Sequence, residues 1–271
     1  MSSMSSDARV ALVTGASRGI GAAVIVELAR LGITPVLAVR RPDSAQAAAA
    51  AVRALGIDPL VLGCHVENPA EARAAVAATL NRHGRLDILI NNAGEIPSGP
   101  IESLDEKIWK RSYDVKLFGY MFLTRHLYAR MKARGSGVIL NDIGNSGENW
   151  DANYVAGSTA NAALMAFTKA LGGVSLDHGV RVLGVNPGPV DTQRMIKINK
   201  RRAIDVYGDE SKWDSLHQHY PGQRAASAEE IADLMLFLCS PRAGYISGAI
   251  VTIDGGIAAK GSIIKPRFEL K

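Results

Sequence analysis

The feature that most constrains this chain is an alternation. Short apolar runs ("RVALVTGAS", "TPVLAVRR", "DPLVLGCHV", "LDILINNAG", "GVILNDIG", "VRVLGVNPGPV", "GAIVTIDGG") are separated by stretches of helical periodicity. "GIGAAVIVELARLG" is one such helix, stopping at Gly32, and "NPAEARAAVAATLNRHG" is another, with Asn68 as its N-cap. Runs that are apolar on both faces suit strands buried on both sides of a sheet. Repeated βα units close through right-handed crossovers, so the chain is predicted to be α/β, with a doubly wound parallel sheet and helices on both faces. No linker divides it, and 271 residues can form one domain with a substantial core. A single domain over residues 1–271 is therefore expected.

The irregular exception is residues 193–223, "QRMIKINKRRAIDVYGDESKWDSLHQHYPGQ". A long insertion with apolar anchors (Met195, Ile196, Trp213, Tyr220) is read as a lid over a site. The tail, residues 258–271, reads as a surface or subunit-contact extension.

Composition excludes several classes of function. Hydrophobic residues make up 47% of the chain, which argues against disorder. The net charge is +5, but Lys and Arg are scattered, with one tight cluster in "KINKRR" (Lys197–Arg202). That pattern fits a solvated or anion-facing surface and not a nucleic-acid groove. Cys64 and Cys239 have no metal-ligand spacing, and the six histidines form no metal or triad set. The start "MSSMSSDAR" is no secretory signal, and no apolar run approaches the roughly 20 residues of a membrane span. The expectation is a cytoplasmic protein with no metal, membrane or nucleic-acid partner.

The chemistry begins at "TGASRGIG" (Thr14–Gly21), where a strand turns into a helix. Gly15, Gly19 and Gly21 permit a tight turn and close backbone approach to a diphosphate held at a helix N-terminus. Gly15, Ser17, Arg18, Gly19, Ile20 and Gly21 are accordingly assigned to a dinucleotide. An acidic residue at the end of the second strand would bind the ribose 2′-hydroxyl of NAD. This chain has Val39 there, then Arg40 and Arg41. With Arg18 they offer guanidinium groups suited to a 2′-phosphate, so NADP(H) is preferred over NAD(H).

At this point the chain resembles the short-chain dehydrogenase/reductase family. "TGASRGIG", "NNAG" (Asn91–Gly94), Tyr154, "NPGPVDT" (Asn186–Thr192) and "TIDGG" (Thr252–Gly256) occur in that family's order and near its spacings. The resemblance covers residues 9 to about 257. It implies a single-domain Rossmann fold, a small-molecule substrate and a homotetramer or dimer. It also implies cofactor contacts from Asn91, Asn92, Ala93 and Gly94, and from Pro187, Gly188, Val190 and Thr192. His65 stands where the family has an adenine-contacting Asp, with Val66 beside it.

The family's catalytic Asn, Ser, Tyr and Lys fall here at Lys116, about Gly144, Tyr154 and Ser158. Only the tyrosine is kept, so the chain reads as an atypical member with a substituted tetrad. A free tyrosine titrates near pH ~10, and a nearby cation moves such a group by roughly 1–3 units toward neutrality. Ser158 brings no charge, but its hydroxyl suits the nicotinamide ribose. The sequence suggests that Lys116 and Ser158 have exchanged roles, the cation arriving from a neighbouring helix. The alternative is that Lys116 faces solvent or pairs with Asp114 or Asp142. Asn145 and Ser146, and less so Asn141, are candidate donors replacing the serine. Trp150 and Ile96, with Met195, Ile196 and Trp213 from the lid, would line a mostly apolar pocket.

The expected function is hydride transfer between NADP(H) and a secondary alcohol or ketone, with Tyr154 as acid/base. The alternatives are a nucleotide-binding protein without redox turnover, and a lyase or isomerase on the same fold.

Overall fold

A computed structural model describes residues 8–94 and 96–259. Seven strands appear where the apolar runs predict them: β1 Val10–Thr14, β2 Thr34–Val39, β3 Leu60–Gly63, β4 Ile88–Asn91, β5 Gly137–Asp142, β6 Val180–Pro187 and β7 Ile250–Ile253. They form one sheet in the order β3-β2-β1-β4-β5-β6-β7, and every pairing is parallel. The helices are α1 Gly19–Arg30, α2 Gln46–Arg53, α3 Pro69–His83, α4 Glu106–Tyr113, α5 Gly119–Arg134, α6 Val155–Ser175, α7 Gln193–Tyr207 and α8 Ala228–Cys239.

Two apolar layers hold the helices to the sheet. On one face Val24, Ile25 and Leu28 of α1 and Ile231 and Met235 of α8 are fully buried against alternate strand residues such as Val13, Leu37 and Ile90. On the other, Ala72 and Val76 of α3 and Leu123, Leu127 and Met131 of α5 pack on Leu12, Val36 and Leu89. Each large side chain buried in this way contributes about 1.5–3 kcal/mol. Asn68 caps α3 as predicted, accepting from Ala70 N at 3.0 Å.

Three features position the site. Strand order reverses between β1 and β4, so their carboxyl ends open a crevice. A π-turn, Asp114–Phe118, joins α4 to α5 and carries Lys116. The segment 193–223 is helical and not an irregular loop. Thr192 caps α7 by accepting from Met195 N, Gly208 ends it in the left-handed conformation (φ 68°), and 3₁₀ turns at Glu210–His219 and Pro221–Gln223 complete it. Of the tail at 258–271, all but residues 258 and 259 lies outside the described residues.

Candidate active site

The glycine turn fits a phosphate cradle because side chains are excluded from it. Gly15 has φ +66°, and a Cβ there would lie 2.9 Å from both Ala93 Cα and Asn92 Nδ2. A Cβ on Gly21 would lie 2.5 Å from Gly15 O. The turn is braced from behind: Asn92 Nδ2 donates to Thr14 O at 2.8 Å and to Gly15 O at 3.2 Å. Thr14 Oγ1 accepts from the backbone N–H groups of Asn92 and Ala93, both at 2.9 Å. Asn92 and Ala93, expected as cofactor contacts, thus shape the cradle through these bonds. Arg18 opens α1 with no side-chain cap on its N–H groups and no acidic residue in the first turn. A helix terminus of that kind favours an anion.

The adenosine-side residues divide. Gly15 N donates to Ala38 O at 2.9 Å, which sets the end of β2 beside the turn. Val39 is buried there, whereas Arg18, Arg40 and Arg41 are exposed around it. His65 is exposed, its ring 3.4 Å from Glu67 Oε1. Three of the expected contacts have their side chains turned into the protein. Ile20 packs on the α1-side core, and Val66 is buried against Gly119, so both side chains are structural. Asn91 is fully buried and donates to Asn141 Oδ1 at 2.9 Å, because β4 turns it between β5 and α5.

The loop after β6 reaches back to the cradle. A Cβ on Gly188 would lie 2.6 Å from Asp254 Cβ, Val190 bridges Ala226, and the Thr192 methyl lies 3.3 Å from where a Gly19 Cβ would be. Pro187 ends β6 at the same edge.

Tyr154 stands at the N-cap of α6 with its ring over Gly157, where a Cβ would overlap the ring. Its hydroxyl accepts from Arg194 Nη2 at 3.1 Å. Arg194 Nη2 also donates to Ile96 O at 3.0 Å, and Nη1 donates to Gly94 O at 3.1 Å. The sequence reading missed Arg194; its only signal was a basic residue two positions after the helix cap Thr192.

Lys116 does not face solvent. Its stem crosses Gly94, where a Cβ would lie 2.5 Å from Lys116 Cδ, and its ammonium donates to Asp142 O at 2.8 Å and Tyr120 Oη at 3.3 Å. The ammonium therefore settles on the carbonyl at the end of β5 and not on Tyr154 Oη. Asp114 pairs with Lys110 at 2.7 Å instead.

Ser158 is buried and accepts from Asp151 N at 3.4 Å. Asn145 Nδ2 donates to Asp254 Oδ2 at 3.2 Å, tying the loop after β5 to the end of β7. Ser146 Oγ accepts from Asn161 Nδ2 at 2.8 Å and keeps its own proton to donate. Asn141 is corrected: it is fully buried and donates to Thr168 Oγ1 at 2.9 Å. Among the pocket residues, Ile96 is a core side chain, and Trp150 is 81% exposed. Trp213 stacks edge-on against His217. A groove of about 530 Å³ runs between Gln218–Pro221 and Gly255–Ile257 and is not lined by Tyr154. Among the described residues no acidic, His or Cys cluster suits a metal, and no helix is long and apolar enough to cross a membrane.

A family model described as Enoyl-(Acyl carrier protein) reductase matches residues 15–258. The chain is 32% identical over 252 residues to the short-chain reductase protein NovJ of Streptomyces niveus, covering 91% of this chain and 93% of that one. The chain belongs to the short-chain dehydrogenase/reductase family. Two solved structures agree in fold. An actinorhodin polyketide ketoreductase with NADPH superposes with a TM-score of 0.89 at 27% identity, covering 94% and 98% of the two chains. A 7α-hydroxysteroid dehydrogenase complexed with NADH gives 0.82 at 26% identity, covering 93% and 95%. This short-chain dehydrogenase/reductase is thus an oxidoreductase that uses a nicotinamide cofactor.

Lys116 and Asp142 are both desolvated and act on each other's titration. Burial pushes Lys116 down to about 8, opposed by Asp142 and reinforced by Arg194. Burial likewise pushes Asp142 up to about 6, opposed by Lys116 and Arg194. Tyr120, desolvated and beside Asp142, is held well above its ordinary value. The effect on stability follows from proton linkage. Asp142 binds its proton more tightly folded than unfolded, so its contribution to stability falls as pH rises from 3.8 to about 6. Lys116 binds its proton less tightly when folded, so stability rises between about 8 and 10.5. Asp142→Asn is expected to remove the acid-side fall, worth up to about 3 kcal/mol. Urea unfolding at pH values across that window checks it; an unchanged slope would contradict it.

Proposed function

We propose that this enzyme is an NADP(H)-dependent oxidoreductase that interconverts a secondary alcohol and a ketone on a small, largely apolar substrate. The observation that carries it is Tyr154, retained at the start of α6 with its hydroxyl held by a fixed cation at 3.1 Å. A bound nicotinamide supplies or accepts the hydride. Tyr154 Oη gives its proton to the carbonyl oxygen in reduction and takes it back in oxidation. Ser146, oriented by Asn161, is the candidate donor to the substrate oxygen, and Asn145 fixes its loop. Ser158 lies one turn from Tyr154 as the hydroxyl for the ribose. Lys116, held on the Asp142 carbonyl, adds positive charge at the end of β5.

The cofactor preference rests on Arg18, Arg40 and Arg41 around a buried Val39 that offers no carboxylate. Segment 193–223 serves as the substrate lid. The working form is taken to be a dimer or tetramer in the cytoplasm, acting without nucleic acid or membrane.

The test is fluorescence titration with NADPH and NADH, followed by a screen of secondary alcohols and ketones. Tighter NADPH binding is expected. Arg40→Ala/Arg41→Ala should weaken NADPH about 10–100-fold, the value of one or two charge-assisted bonds, and leave NADH within about threefold. Equal loss for both nucleotides would overturn the preference. Absence of turnover with every alcohol and ketone would overturn the reaction.

A further inference from the structure

We propose that Arg194, carried on α7, is the cation that serves Tyr154, aiming its hydroxyl and stabilising the phenolate left when its proton passes to the substrate oxygen. The inference rests on the reading of Tyr154 as acid/base. Three positions compete for the role. Ser158 is neutral and buried. Lys116 places its ammonium on Asp142 O and Tyr120 Oη. Arg194 alone of the three reaches Tyr154 Oη, at 3.1 Å.

The guanidinium suits the task. It has five donors in a rigid plane. Two bonds to Gly94 O and Ile96 O anchor that plane, and the Nη2 bonded to Ile96 O also donates to the tyrosine. The anchors are main-chain carbonyls and not carboxylates, so they fix the group without cancelling its charge. A cationic donor strengthens with the negative charge on its acceptor, so this bond favours the phenolate left when the proton passes to a carbonyl oxygen. The phenolate regains its proton from solvent.

The placement of Arg194 is in the connectivity. Arg194 is the second residue of α7, whose cap Thr192 abuts Gly19 of the phosphate turn. Eight residues on, Arg202 Nη2 donates at 3.3 Å to Asp151, three residues before Tyr154. One helix therefore spans from the phosphate turn to the tyrosine loop. The other titratable groups around Tyr154 are Tyr120 and Lys116 from the helix at 106–134, Asp142 from β5 and Tyr113 from the apolar cluster beneath the ring.

The experiment compares wild type, Arg194→Gln and Arg194→Lys, with Tyr154→Phe as the reference. The first readout needs no turnover: it is the part of the near-ultraviolet tyrosinate absorbance that Tyr154→Phe removes. Arg194→Gln should move that part to higher pH by about 1 unit or more, with Arg194→Lys in between. The second readout is the pH profile of carbonyl reduction, which should move the same way while kcat falls about 10–100-fold. The lysine variant keeps the test open should the glutamine variant misfold, which circular dichroism would show. An unmoved titration in folded Arg194→Gln overturns the inference, even if Tyr154-dependent turnover is found. A moved titration supports it, even if no alcohol or ketone is turned over and the proposed reaction fails.

Discussion

Tyr154→Phe should lower turnover by about a thousandfold and leave NADPH affinity within about threefold. The substitution removes one oxygen and keeps the ring, so the packing of Tyr154 over Gly157 and among Ile96, Ala156 and Ala160 survives. On the proposed reaction, what is lost is the proton exchanged with the substrate oxygen, and a positioned acid or base is worth roughly 10²–10⁴ in rate. The nucleotide cradle, built from the glycine turn and its braces at Asn92 and Ala93, does not include the tyrosine hydroxyl. Steady-state kinetics alongside fluorescence titration separates the two effects. Loss of both activity and binding would mean that the ring had moved. Full activity in Tyr154→Phe would remove Tyr154 from the mechanism.

Gly21→Ala should weaken the nucleotide by about a hundredfold and lower the melting temperature by several degrees. The added methyl would lie 2.5 Å from Gly15 O, 2.6 Å from Asn92 Nδ2 and 3.0 Å from Gly15 C. Two of these atoms are backbone, and the amide nitrogen is already bonded to Thr14 O, so no flexible chain end can yield. Either α1 withdraws from β1 or the turn opens. Overpacking of this kind costs about 1–3 kcal/mol of stability. The same displacement misaligns the N–H groups at the start of α1 that would face a diphosphate. Gly32→Ala is the control: its Cβ meets nothing within 4 Å, though its φ of +70° makes the change mildly unfavourable. It should shift stability without touching affinity. Equal affinities for Gly21→Ala and wild type would show that the nucleotide is held elsewhere.

The two substitutions mark different levels of legibility. The glycine turn and the seven strands were readable because each depends on neighbours a few residues apart: alternation of apolar runs, a turn needing positive φ, a helix cap. The helix at α7 was missed because its charges masked a narrow inward face, although Thr192 and Gly208 mark its two ends. The buried roles of Asn91 and Asn141 could not be read from motif position, since the sheet decides which face each one presents.

Alone, the sequence determined the doubly wound sheet, the phosphate cradle, the arginines beside β2 and the survival of Tyr154 without its lysine. Only the tertiary structure decided where the Lys116 and Arg194 charges lie. Lys116 lies 26 residues from the carbonyl it binds, and Arg194 lies 40 from the hydroxyl it meets. Contacts over such separations leave no local periodicity. They are fixed by the π-turn that aims Lys116 across Gly94 and by the helix that carries Arg194 back over the crevice.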